Sequence, residues 1–236
     1  IVDNYDILEA GGYIMKDMFV LKSEICLFDN VEDFLEKENV CEDDLIITNR
    51  FIFDGKYKTS AHLIFQEEYG KGEPTDVMVE SIRKDIPLNI KRIIAIGGGT
   101  VIDISKFLIL DYDGKIDQVI NREIPFTKKR SLYVLPTTVG TGSEVTNVAI
   151  CEMIERKTKK GLADDLIYPD KAALIPELVK TLPYKFFATS SIDALIHSIE
   201  SFVSPNATYY SRIFSKEAMT IILGCYKKVV SGENWN

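Results

Sequence analysis

Four short apolar runs with polar or glycine borders constrain this chain more than any other feature. They are DDLIITNR from Asp44, AHLIFQ at 61–66, KRIIAIGGG at 91–99 and SLYVLP at 131–136. Each is the length of a strand, and the apolar character runs on instead of alternating, as in strands covered on both faces of a parallel sheet. Helical periods lie between them. TDVMVESIRKDI at 75–86 puts Val77, Met78, Ser81, Ile82 and Ile86 on one stripe, and VIDISKFLIL at 101–110 reads as another helix. This alternation predicts an α/β fold built on a parallel sheet. NVAICEMIE at 147–155 and the stretch from Gly161 to Ile175 flank a basic turn, Arg156 to Lys160, and read as an extended pair. From Tyr184 the pattern turns helical, which puts a domain boundary near Pro183 and a long helix over Tyr210 to Val230.

Composition removes several classes. With 236 residues, 46% of them hydrophobic, the chain can bury a sizeable core. A formal net charge of −8 argues against a nucleic-acid partner, which wants a basic face. No apolar run reaches the roughly 18 residues of a membrane-spanning helix, so no membrane partner is expected. Cys26, Cys41, Cys151 and Cys225 form no C-x-x-C pair, which speaks against a zinc ribbon or disulfide framework and for a reduced, cytoplasmic protein. The start, Ile1 to Ala10, carries acids where a signal peptide would be basic. Residues 1–17 hold no sustained period before Met15 and Met18, and are expected to be a non-native or disordered leader.

Three segments carry candidate chemistry. The strand IIAI runs into Gly97, Gly98, Gly99 and Thr100 and then a helix, so glycines let the backbone approach an anion while the helix start offers free N–H groups. Thr100 with Asp103 three residues on fits an N-cap with a capping box. The triplet matches neither G-x-G-x-x-G nor a P-loop, and alone it is equally a tight turn. LPTTVGTGSEVT at 135–146 offers the hydroxyls of Thr137, Thr138, Thr141, Ser143 and Thr146 to a nucleotide; a surface loop rich in hydroxyls is the other reading. Two such loops at the carboxyl ends of parallel strands weigh more together, because ligands of open α/β sheets bind in that crevice.

The third segment is SSIDALIHSIES. Asp193 and His197 stand i, i+4 on one helix face, and Ile192, Leu195, Ile196 and Ile199 around them predict a buried helix whose polar pair faces a cavity. A carboxylate with an imidazole suits Fe2+ or Zn2+, while an ordinary surface pair is the alternative. His62, in a strand pattern, reads as structural.

AIGGGTVID, PTTVGTGSEVT and DALIHSIE, in this order and spacing, resemble the iron-dependent (group III) alcohol dehydrogenase family from about Met18 onward. The resemblance implies a dehydroquinate synthase-like architecture: a parallel-sheet nucleotide-binding domain over 18–183, then the start of an all-helical metal-binding domain over 184–236. By the family pattern Gly98, Gly99, Thr100 and Asp103 hold the pyrophosphate region of NAD, Thr137, Thr138, Thr141 and Ser143 line the cofactor, and Lys160 reaches it. Asp193 and His197 become two of four ligands to Fe2+ or Zn2+, the other two being histidines that a C-terminally truncated chain lacks. Asn49 stands where many members carry an aspartate that binds the adenosine ribose; without that charge NADP is less firmly excluded, and Arg50 could welcome its 2′-phosphate. KRIIAIGGGTVIDI, TKKGLADD and LPYKFFATSSIDALIHSIESFVSPNA are most similar to the members that interconvert succinic semialdehyde and 4-hydroxybutyrate. A small aldehyde or alcohol substrate and a homodimer follow by the same resemblance. Butanol or 1,3-propanediol chemistry is the nearest alternative, and a non-catalytic nucleotide-binding fragment is another.

Overall fold

Asp44–Thr48 is buried at every residue, and Ile93 to Gly97 likewise. A strand with no exposed residue needs cover on both faces. The computed structural model, which describes residues 20–180 and 182–232, shows how it is supplied. The strands are β1 (Glu24–Leu27), β2 (Asp44–Thr48), β3 (His62–Phe65), β4 (Arg92–Gly97), β5 (Leu110–Asp111), β6 (Thr127–Lys128), β7 (Ser131–Pro136), β8 (Val148–Met153), β9 (Thr158–Ala163) and β10 (Lys171–Leu174). The helices are α1 (Val31–Lys37), α2 (Arg50–Phe53), α3 (Asp76–Asp85), α4 (Gly99–Leu108), α5 (Ile116–Ile120), α6 (Pro176–Lys180), α7 (Tyr184–Val203) and α8 (Tyr209–Val230). Six strands form one parallel sheet in the order β1-β10-β7-β4-β2-β3. The expected α/β parallel sheet is therefore present.

Alternate residues of the central strands feed two cores. Leu45, Ile47, Ile93 and Ala95 pack with Met78, Val79 and Ile82 of α3 and Ile104 and Phe107 of α4. Ile46, Ile94 and Ile96 pack on the opposite face with Val31, Phe34 and Leu35 of α1 and Phe53 of α2. The period of two puts neighbours on opposite faces, so both sides of these strands are spent on core. At one end of the sheet Arg92 reaches the buried Asp44 with Nε at 2.8 Å and Nη2 at 2.6 Å, stitching β4 to β2.

The chain order reverses between β2 and β4: β2 leads outward to β3, whereas β4 leads the other way to β7 and β10. The register sets Thr48 beside Ile96 and Gly97 beside Pro136. Asn49, Gly98 and Thr137 therefore leave the sheet side by side at its carboxyl end.

Several expectations change. The stretch from Gly161 to Ile175 is not one extended arm, because β9 begins at Thr158 and pairs with β8, while β10 inserts between β7 and β1 of the main sheet. The hairpin turn is Ile154 to Lys157, which leaves Lys160 on a strand. α4 begins at Gly99 with Gly98 as N-cap, so Thr100 does not cap it. The helix α7 is not buried: among its described residues only Ser191 is, and Ile192, Ile196 and Ile199 are nearly half exposed. Its main packing neighbour is α8, and a helix packed chiefly on one side buries one narrow stripe. The expected leader, residues 1–17, lies outside the described residues. All four cysteines are free thiols. Among the described residues no helix is long and apolar enough to cross a membrane.

Candidate nucleotide site and metal helix

The two strand-end loops touch. A Cβ on Gly98 would lie 3.2 Å from Thr138 Cγ2, so glycine permits this approach. Thr137 N–H donates to Gly97 O at 3.1 Å, holding the second loop against the end of β4. The N–H groups of Gly99, Thr100 and Val101, in the first turn of α4, have no intrahelical carbonyl within reach and point out of the helix start. Thr100 Oγ1 donates to Gly72 O at 3.0 Å, tying the loop before α3 to the same crevice.

Asp103 does not face that opening freely. Its Oδ1 accepts from Ser143 Oγ at 2.7 Å and its Oδ2 from Ile150 N–H at 3.0 Å. Burial pushes its carboxyl above the ordinary carboxylate range, with both bonds and Lys106 pulling the other way. Two residues expected to line a cofactor are thus bonded to each other. Behind them is Lys106, fully buried, with Nζ donating to Ser143 Oγ at 2.8 Å, Thr146 Oγ1 at 3.2 Å and Val148 O at 2.7 Å. Burial lowers this ammonium to about 8, against the pull of Asp103 and Glu144. Sequence reasoning missed Lys106. Its signal was a lysine one turn after Asp103 on the apolar side of a helix, where a cation needs a partner.

Thr138 is half-buried and Thr141 exposed at the lip of the second loop. Lys160 is elsewhere: it projects from β9 with Nζ at 2.5 Å from Asn121 Oδ1, which ties it to the end of α5 and to neither strand-end loop. Asn49 caps α2, and its Nδ2 donates to Glu67 Oε2 at 2.9 Å. Glu67 was also missed, since nothing local marks a residue 18 positions away as a neighbour of Asn49.

The second loop also meets α7. A Cβ on Gly140 would stand 3.2 Å from both the Cβ and the carbonyl oxygen of Ser190. Asp193 and His197 follow Ser190 by three and seven residues, so all three share one face of α7. His197 Nε2 lies 3.8 Å from Asp193 Oδ1, and both side chains are about half exposed. The two donors fit one side of a first-row divalent ion in chemistry and spacing. Among the described residues no group of three or more His, Cys, Asp or Glu could hold a metal. The pair is at most half of a four-ligand set.

The family profile of iron-containing alcohol dehydrogenases matches residues 27–176. The chain belongs to the iron-containing alcohol dehydrogenase family. It is 46% identical over 218 residues to the 4-hydroxybutyrate dehydrogenase of Clostridium kluyveri, covering 91% of this chain and 59% of that protein. Two solved structures share the fold. The NADH-dependent butanol dehydrogenase A of Thermotoga maritima superposes with TM-score 0.76 at 16% identity, over 92% of this chain and 58% of that one. The sulfoacetaldehyde reductase of Bifidobacterium kashiwanohense in complex with NAD+ gives TM-score 0.66 at 24% identity, over 80% and 54%. The chain spans about three fifths of the length of that Clostridium kluyveri relative.

Proposed function

We propose that this chain forms the dinucleotide-binding part, and the first metal-binding helix, of an NAD-dependent dehydrogenase that interconverts 4-hydroxybutyrate and succinic semialdehyde. The observation that carries the reading is the contact of Gly140 with Ser190, which sets the face of α7 bearing Asp193 and His197 against the hydroxyl loop at the strand ends. The substrate is taken from the 46% identity to a 4-hydroxybutyrate dehydrogenase.

The crevice fits a dinucleotide. The first-turn N–H groups of α4 suit a pyrophosphate, and glycine at 98 lets the Thr138 side chain of the second loop come close to the first. When bound, NAD(H) would supply or accept the hydride and an Fe2+ or Zn2+ ion would supply a Lewis acid. This chain's own residues orient that chemistry. Gly98, Gly99 and Thr100 seat the phosphates, while Thr137, Thr138 and Thr141 fix the second loop's edge of the cofactor. Asp103 and Ser143 act from behind, by holding the two loops together. Asp193 and His197 would hold the ion, with two ligands supplied from outside these residues. Lys160 keeps a cofactor role only by leaving Asn121. A homodimer is proposed by family resemblance.

With no group of three or more metal donors among the described residues, this chain is expected to bind NADH without turnover. The test is a titration of NADH fluorescence with this chain, then an assay of a polypeptide that supplies the remaining ligands with succinic semialdehyde, butanal and 3-hydroxypropanal. No NADH binding would defeat the nucleotide reading. Faster reduction of butanal or 3-hydroxypropanal would move the substrate to a sister alcohol.

A further inference from the structure

We propose that Glu67, from the turn after β3, sets the preference for NADH over NADPH, in place of the charge that residue 49 does not carry. The inference rests on the reading of the strand-end crevice as a dinucleotide site. Asn49 leaves the end of β2 level with Gly97 of β4, where an adenosine ribose meets the sheet in open α/β folds. An asparagine there is neutral, and Arg50 beside it carries the charge that a 2′-phosphate needs.

The structure places both differently. Arg50 is occupied: Nη1 donates to Asp54 Oδ2 at 2.8 Å, Nη2 donates to Glu68, and the guanidinium lies 4.1 Å from the centre of the Phe65 ring. The carboxylate of Glu67 is fixed at the same point. Its Oε2 accepts from Asn49 Nδ2 at 2.9 Å and its Oε1 from Arg50 N–H at 2.6 Å. One oxygen is thus bound to the side chain of residue 49 and the other to the backbone of residue 50, so the charge is held at the strand end and not at the tip of a free side chain. Burial opposes ionisation of Glu67, yet the bonds from Asn49 and Arg50 outweigh it and hold the carboxyl below the ordinary range. The bonded set of Asp54, Glu67 and Glu68 against Arg50 carries three negative charges and one positive.

With its Nδ2 committed to Glu67, Asn49 keeps Oδ1 as an acceptor for a ribose hydroxyl. Glu67 stands behind it with a full charge. A 2′-hydroxyl tolerates that neighbour and can donate to it, whereas a 2′-phosphate adds up to two negative charges within a few ångströms. Relocating the charge from strand β2 to the turn after β3 keeps the discrimination while residue 49 stays neutral.

The experiment measures Kd for NADH and NADPH by nucleotide fluorescence on the 236-residue chain, with Glu67→Gln alongside wild type. Wild type is expected to prefer NADH. Glu67→Gln is expected to lower the ratio Kd(NADPH)/Kd(NADH) about tenfold, as removal of one close charge does. The wild-type ratio should also fall as salt rises from roughly 0.05 to 0.5 M, because screening weakens a charge-based exclusion. An unchanged ratio in Glu67→Gln that still binds NADH overturns the proposal. Should Glu67→Gln fail to fold, a wild-type ratio independent of salt overturns it, and one that falls supports it. A wild type that binds neither nucleotide defeats the underlying reading of the crevice, which is a different outcome from equal binding of both.

Discussion

Lys106 Nζ donates to Ser143 Oγ at 2.8 Å with no part of the lysine exposed, so one buried cation fastens the helix after the glycines to the hydroxyl loop. Ser143 Oγ in turn donates to Asp103 Oδ1 at 2.7 Å, and the three residues make one chain of bonds beneath the crevice. Lys106→Met would leave Ser143, Thr146 and the Val148 carbonyl without their donor and Asp103 without its counter-charge. Loss of about 3 kcal/mol is expected in denaturant unfolding. NADH affinity should fall as well, because the second loop loses its anchor. An unfolding midpoint equal to wild type would show that the network is dispensable.

The same lysine gives the stability curve a specific alkaline limb. Its folded value of about 8 lies below the ordinary 10.5, so between those limits the unfolded chain binds more protons than the folded one. Stability then rises with pH across that window, by up to about 3 kcal/mol, because the folded state sheds a buried charge. Asp103 acts in the opposite sense at acid pH: its carboxyl is raised in the fold, so its contribution is greatest below the ordinary 3.8 and declines as pH climbs through the folded value. The difference between wild type and Lys106→Met, followed by chemical denaturation from pH 7 to 10.5, should widen by the alkaline gain of the wild type. A constant difference would refute the assignment.

How much of this was legible beforehand follows from the range of each interaction. β2, β4 and β7 could be read because burial on both faces leaves a continuous apolar run, and α3 because its stripe is local. β10 could not: KAAL is too short and too plain to declare that it crosses back into the main sheet, and the basic turn before β9 suggested a longer hairpin arm. Gly98, Thr137 and Thr138 could be picked out as candidates because glycine-rich and hydroxyl-rich loops are written in consecutive residues. Lys106 and Glu67 were not, since each is defined by a partner that only the packed sheet brings near, Ser143 across two loops and Asn49 across two strands. The exposed flank of α7 ran against expectation because apolar residues around a helix state what it could bury, not what covers it.

Gly140 is where the crevice meets the helical segment, and a side chain there should loosen the join. In Gly140→Ala the new Cβ would stand 3.2 Å from both the Cβ and the carbonyl oxygen of Ser190. One of those atoms is backbone, so α7 or the loop must move. A cost of about 1–2 kcal/mol is expected, seen as a Tm lower by about 3–6 °C. Ser190→Ala should not rescue it, because both atoms remain in alanine. Full rescue would mean that the Ser190 hydroxyl, and not close approach, makes the contact.

Asp193 and His197 should bind a divalent ion without supporting the fold. Their side chains are about half exposed and 3.8 Å apart, and a pair of that kind contributes at most about 1 kcal/mol to stability. His197→Ala is therefore expected to leave the Tm in metal-free buffer within about 2 °C of wild type. Two donors i, i+4 on a helix hold zinc weakly, with Kd on the order of 0.1 mM, so 1 mM zinc stabilises the folded chain by about 1.4 kcal/mol, or roughly 3–5 °C. That shift should vanish in Asp193→Ala and in His197→Ala, while NADH affinity in both stays within about twofold, since neither residue lies at the strand ends. Thermal unfolding with and without zinc, beside an NADH titration of each variant, checks the two halves separately. A zinc shift that survives both substitutions would place the ion elsewhere on the chain, for instance at the exposed Cys41 or Cys225, and would remove α7 from the metal site.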